Sequence, residues 1–131
     1  RLADDLRRLG VERDLDPPPA RPGVAATPEP PYWAVVFTSV RAGDDPAYDA
    51  AARRMEALAR EQPGFLGVES ARGVDGLGIT VSYWDSPEAI AAWRAHAEHA
   101  AVRARGAAEW YAAYRIRVCR VERVAAGGFG P

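Results

Sequence analysis

The two histidines of the chain, His96 and His99, stand one turn apart in the run Trp93-Arg94-Ala95-His96-Ala97-Glu98-His99. Histidine is the side chain best suited to act as a general base near neutral pH. A neutral imidazole is also a good iron ligand. Trp93, one turn before His96, supplies a flat surface on which an aromatic molecule can stack. Chemistry in this protein is therefore expected around Trp93, His96 and His99. The plainer alternatives are a core tryptophan and a hydrogen-bonding histidine at a helix edge.

Other chemistries fail on residue type or spacing. His96 and His99 sit at i and i+3, but no third ligand accompanies them, so no metal site is expected. No nucleophile-elbow sequence supports a Ser-His-Asp arrangement. Gly73, Gly76 and Gly78 have the wrong spacing for a dinucleotide loop and fit a hairpin turn better. Arg115, Arg117, Arg120 and Arg123 form a basic row interrupted by Glu122, which reads as a solvated strand face rather than a nucleic-acid surface.

The bulk numbers agree. The chain has 131 residues, 48% of them hydrophobic, and a net charge of −1. That composition supports one small packed domain and gives no field toward nucleic acid or an anionic membrane. All 17 basic residues are arginines, a bias that weakens arginine as a functional signal. Cys119 is the single cysteine. It cannot form an intramolecular disulfide, fits a reducing cytoplasm and is expected to be a small buried hydrophobe. No apolar run is long enough to span a membrane. The first residue is Arg1 rather than Met, which implies an upstream start or trimming.

The elements that must position the histidines can be read in order. Residues 1–31 are expected to form a short helix, with Leu2, Leu6 and Leu9 on one face, and then an extended proline-rich segment that reads either as a loose tail or as a docking arm. The globular domain is expected over 32–124, followed by a tail at 125–131. Tyr32 to Val40 reads as a central strand buried on both faces. Asp45-Pro46 opens a helix whose stripe is Tyr48, Ala51, Met55 and Leu58, and Pro63-Gly64 stops it. Phe65 to Arg72 and Gly78 to Trp84 read as a hairpin around Gly73-Val74-Asp75-Gly76. Ser86-Pro87 caps a second helix ending at Gly106, with Ile90, Trp93, Ala97 and Ala100 as its buried stripe. At about 100° per residue, His96 lies roughly 80° from the centre of that stripe and His99 roughly 140°. The last strand is expected over Tyr114 to Val124, where a change of apolar parity between Val118 and Val121 implies a bulge or a crossing from one environment to another. The order β-α-β-β-α-β predicts an α+β, ferredoxin-like antiparallel sheet with both helices on one face. The other face would stay open, and a symmetric homodimer is the simplest way to cover it.

The segments PGFLGVES, GITVSYWDSPEAIAAWRAHAEH and EWYAAYRIRVCRVER resemble the antibiotic biosynthesis monooxygenase family and the related heme-degrading monooxygenases. The resemblance covers about Tyr32 to Val124. It implies a dimeric α+β barrel with a pocket between helices and sheet. Some members oxygenate quinols without metal or flavin, others open heme, and others have no known activity. In the heme-degrading branch a helix tryptophan works with an asparagine and a histidine. Trp93 matches that tryptophan, but this chain has no asparagine, and the matching histidine position falls near Arg103.

The expected activity is therefore oxygenation of an aromatic, quinol-like small molecule. His96 would be the base and Trp93 its neighbour, with Trp33, Phe37, Tyr83, Trp84 and Trp110 as pocket walls. No cofactor is expected in that reading. One alternative is a heme-binding or heme-modifying protein with His99 as axial ligand. Another is a non-catalytic, metabolite-binding barrel.

Overall fold

A near-continuous run rich in aromatic and β-branched residues makes Tyr32–Arg41 the central strand, β1. The computed structural model describes residues 23–43, 46–104 and 111–128. The remaining elements are α1 (Pro46–Arg60), β2 (Phe65–Arg72), β3 (Leu77–Trp84), α2 (Pro87–Ala104) and β4 (Tyr111–Val121). The strands form one four-stranded sheet in the order β2-β3-β1-β4, antiparallel throughout. This is the expected βαββαβ, ferredoxin-like α+β fold. The Leu2/Leu6/Leu9 stripe, the Asp45 cap, Gly106 and Trp110 lie outside the described residues.

Local chemistry sets the element ends. Gly64, at φ 86°, takes the left-handed turn after α1 that a side chain would resist. The β2–β3 turn closes with Gly76 N–H donating to the Gly73 carbonyl and Leu77 N–H to Asp75 Oδ1. Ser86 caps α2, its Oγ accepting from Ala89 N–H at 3.1 Å.

Pairing partners share a face, so the register sorts every strand residue. Trp33, Val35, Phe37 and Ser39 on β1 lie level with Trp84, Ser82, Thr80 and Gly78 on β3. The same four pair with Arg120, Val118, Ile116 and Tyr114 on β4. That set faces the helices. Its core is Val35, Ala59, Trp84 and Ile90, with Trp33, Phe65, Ala89 and Trp93 packed against it. Trp84 is wholly buried and donates its indole N–H to Ser82 Oγ at 2.9 Å. Emptying so large a buried site would cost about 3–5 kcal/mol.

Several expectations are corrected. β4 starts at Tyr111 rather than Tyr114 and ends at Val121. Its irregularity lies at Val40/Arg41, opposite Ala112, while pairing through Val118–Val121 is continuous. The apolar parity changes by crossing from one face to the other: Val118 lies on the helix side with Val35, and Val121 on the opposite side, level with Tyr32. Cys119 is exposed, because it lies on an edge strand and faces away from the helices. The arginine row is split: Arg115 and Arg117 face away from the helices, whereas Arg120 lies over Trp33 at 5.8 Å.

Residues 24–27 are not a loose tail. Ala25 N–H donates to Glu69 Oε2 at 3.0 Å, and Thr27 Oγ1 and Tyr32 Oη lie 2.7 Å apart. Ala25 rests over Gly67, so the arm covers one end of the sheet face opposite the helices. Further along that face Leu77 and Ile79 stay exposed. No helix of the described residues is long and apolar enough to cross a membrane.

Candidate functional site

The helix face carries a row of rings that begins in the core and ends in solvent. Phe65 meets Trp84 edge-on at 5.5 Å. Trp84 stacks on Trp93 at 5.9 Å with 22° between planes. Trp93 in turn stacks on His96 at 6.0 Å and 27°. The buried Trp84 fixes Trp93, and Trp93 sets the plane of the imidazole. His96 itself is exposed, so a ligand or water can reach its ring. Its place at the edge of the buried stripe is the one that helical spacing predicts.

Beside this row, the described residues of the two helices leave the β4 side of the sheet open. Val118, Ile116 and Tyr114 project on the helix side yet are 50%, 42% and 60% exposed. With Trp33 and Phe37 of β1 they form an apolar, aromatic floor. Tyr114 and Phe37 lie 5.7 Å apart.

The far end of the floor is polar, and the sequence reading missed it. Arg72 reaches across β3 to donate to Ser39 Oγ at 2.6 Å, the Ser39 carbonyl at 3.3 Å and Tyr48 Oη at 3.1 Å. It also donates to the Gly76 carbonyl. Tyr111 donates to Tyr48 Oη at 3.3 Å and packs on Phe37 at 5.2 Å. Arg41 lies over the Tyr48 ring at 4.3 Å. Burial, and then the bond to Tyr48, hold the Tyr111 phenol above the usual tyrosine range, against the pull of Arg72 and Arg41. The one sequence signal for this cluster was Gly78. A Cβ there would stand 2.5 Å from Arg72 Cζ, so the glycine makes room for the guanidinium.

The structure therefore brings together some of the expected residues and separates others. Trp93 and His96 are adjacent, and Trp33 and Phe37 share their side of the sheet. Trp84 is the buried support of Trp93 rather than an accessible wall. Tyr83 lies on the opposite face, edge-on to Tyr32 at 5.8 Å and donating to Glu69 at 2.7 Å. Consecutive strand residues point to opposite faces, so Tyr83 and Trp84 cannot line one pocket. Burial, then Glu69, holds the Tyr83 phenol above its ordinary range. His99 is exposed, and no described ring contact includes it. Among the described residues no group of three metal-ligating side chains is assembled. A cleft of about 490 Å³ runs along the β2 edge beneath the arm, away from Trp93 and His96.

Comparison with known proteins fits this geometry. Residues 31–105 match the profile of the antibiotic biosynthesis monooxygenases. The uncharacterized protein YqjZ of Bacillus subtilis (strain 168) is 55% identical over 100 residues, covering 76% of this chain and 88% of YqjZ. Among solved structures, SnoaB, a cofactor-independent oxygenase from Streptomyces nogalater, superposes with a TM-score of 0.58 at 16% identity. The match covers 71% of this chain and 95% of SnoaB. A Nitrosomonas europaea protein bearing the same family name superposes equally, at 0.58 and 16%, over 73% of this chain and 94% of its own. At such identities the superpositions establish the fold.

Proposed function

The chain belongs to the antibiotic biosynthesis monooxygenase family, and we propose that it oxygenates an electron-rich, quinol-like aromatic on the open floor between Trp93 and β4. The observation that carries this reading is the stacked series Trp84–Trp93–His96, which ends in an accessible base beside an aromatic floor. The fold shared with a cofactor-independent oxygenase supports it.

In this reading the substrate is an anthrone-like CH₂ or quinol compound. His96 removes one proton and leaves a carbanion–enolate with its charge spread over the rings. That anion passes one electron to dioxygen, and the resulting radical pair joins to form a C–O bond. The hydroperoxide takes a proton back from the imidazolium. Loss of water then leaves a carbonyl, with one oxygen atom in the product and the other in the water. Trp93 holds the rings level with the imidazole, and the apolar floor excludes water from the anion.

Heme is the competing occupant of this family's fold. An axial histidine needs an apolar cavity around it, and His99 stands exposed away from the aromatic row, so the described residues around it do not fit a porphyrin. No step is routed through one. We further infer a homodimer, with a second copy over the open sheet face at Val40, Leu77 and Ile79, which are 36%, 49% and 46% exposed.

The test is oxygen consumption with a panel of anthrones and hydroquinones. His96→Gln keeps size and hydrogen bonding but not basicity, and should lower turnover by about 10²–10⁴-fold. Full activity in that variant with an unchanged pH profile would remove His96 as the base. A sharp Soret band on adding hemin, absent from the His96/His99 double alanine variant, would favour the heme reading instead.

A further inference from the structure

Resting on the aromatic-substrate reading above, we propose that Arg72, Tyr48 and Tyr111 form an anion-recognition end of the same floor. The substrate would then be an extended aromatic carrying a carboxylate at the end remote from His96. The first support is charge. All four oxygens that accept from Arg72 are neutral: two backbone carbonyls, the Ser39 hydroxyl and the Tyr48 hydroxyl. Among the described residues no carboxylate pairs with it. A half-buried guanidinium held only by neutral acceptors keeps its positive field. A pure latch between β1, β2 and α1 needs donors but no net charge.

The second support is geometry. Arg41 lies over the Tyr48 ring at 4.3 Å and also pairs with the exposed Asp49 at 3.9 Å. Arg72 Cζ lies 5.5 Å from the Tyr48 ring centre and 5.9 Å from that of Tyr111. Arg72 itself has no terminal N–H left to give, so contact falls to a phenol. Tyr111 gives its proton to Tyr48 over a long 3.3 Å bond and can turn it toward a stronger, charged acceptor. Its ring joins the floor through Phe37 and Tyr114, at 5.2 and 6.3 Å. The third support is length. Trp33 and Phe37 are four residues apart on β1, about 13 Å at the rise of a strand, which is the span of a three- or four-ring system.

Binding can be measured without turnover. The full chain is titrated anaerobically with 2-anthracenecarboxylate and with the neutral 2-anthracenemethanol, followed by ligand fluorescence. The wild type should hold the carboxylate at least tenfold more tightly than the alcohol. Arg72→Lys should keep most of that preference. Arg72→Gln should abolish it. Tyr111→Phe keeps the ring and leaves the Arg72 bonds in place, and should weaken carboxylate binding three- to tenfold. It decides the matter if Arg72→Gln does not fold. Equal binding of the two probes, no binding of the carboxylate at millimolar concentration, or a preference that survives Arg72→Gln or is untouched by Tyr111→Phe would each overturn the proposal. His96→Gln should keep the preference, so loss of oxygenation and loss of anion recognition are separate results.

Discussion

Gly78→Ala tests whether Arg72 is held as firmly as its bonds imply. Gly78 pairs with Ser39 on one side and Arg72 on the other. A methyl group there would stand 2.5 Å from Arg72 Cζ, 2.8 Å from Nη2 and 2.9 Å from Nε. Atoms do not approach that closely, so the guanidinium must lift off. It then loses Ser39 Oγ, Tyr48 Oη and the Ser39 carbonyl together. Ser39 is only 2% exposed, and a buried hydroxyl left without its partner costs about 1–3 kcal/mol. Alanine is better than glycine in a strand by roughly 0.5–1 kcal/mol, which offsets part of this. The net loss should be about 1–2 kcal/mol, or roughly 5–15 °C in Tm for a domain of this size. Urea and thermal melts at one fixed protein concentration measure it. The decisive comparison is the same substitution in an Arg72→Ala background. With the guanidinium gone the methyl group has free space, so Gly78→Ala should there be neutral or slightly stabilising. An equal loss in both backgrounds would show that the strand itself, and not the Arg72 latch, rejects the side chain.

Removing residues 24–30 in addition to 1–23 should lower the melting temperature, because it uncovers Tyr32 and Gly67 and strips Glu69 of the Ala25 N–H. Equal melting of the two truncated chains would mean that the arm only rests on the sheet. Stability should fall as pH rises above about 10, because unfolded tyrosines ionise there while Tyr83 and Tyr111 resist ionisation in the fold. Urea midpoints from pH 8 to 11 should show the slope, and Tyr83→Phe and Tyr111→Phe should each flatten it. Ile79→Arg puts a charge on the open face at a half-exposed site, and light scattering should find a monomer where the wild type gives twice the chain mass. A wild-type monomer at micromolar concentration would refute the dimer.

Most of the architecture was legible because it is local. The Pro63-Gly64 stop, the Gly73–Gly76 turn and the Ser86 cap each act within a few residues, and hydrophobic period separated strands from helices. What failed was either non-local or overlooked. Arg72 meets Ser39 across 33 positions and Tyr48 across 24, and nothing in the spacing of a long polar side chain reports such contacts. Only a glycine inside a strand hinted at a close approach, and Gly78 was absorbed into the neighbouring turn. The grouping of Tyr83 with Trp84 was a different error. The two-residue period of a strand already forbade one pocket for both, and the aromatic content outweighed it. Cys119 looked buried because it sits in an apolar strand, yet burial needs a covering layer and not only a strand.

β4 joins the two proposals made for this protein. Its even-numbered residues from Tyr114 to Arg120 face the helix side, where Tyr114, Ile116 and Val118 supply the floor for a ligand. Its odd-numbered residues, Arg115 to Cys119, face the side inferred for the second copy. An edge strand exposed on both faces is a liability in a free monomer, since it invites unspecific pairing. Here the exposure is patterned: apolar and aromatic where a flat ligand would lie, basic and small on the other side. If solubility alone shaped the strand, charges would be expected on both faces. The division by parity instead fits a strand that serves a small molecule on one face and another protein surface on the other. Any shift of β4 on dimerisation would then move the floor beside Trp93, linking assembly to the site through the backbone of a single strand.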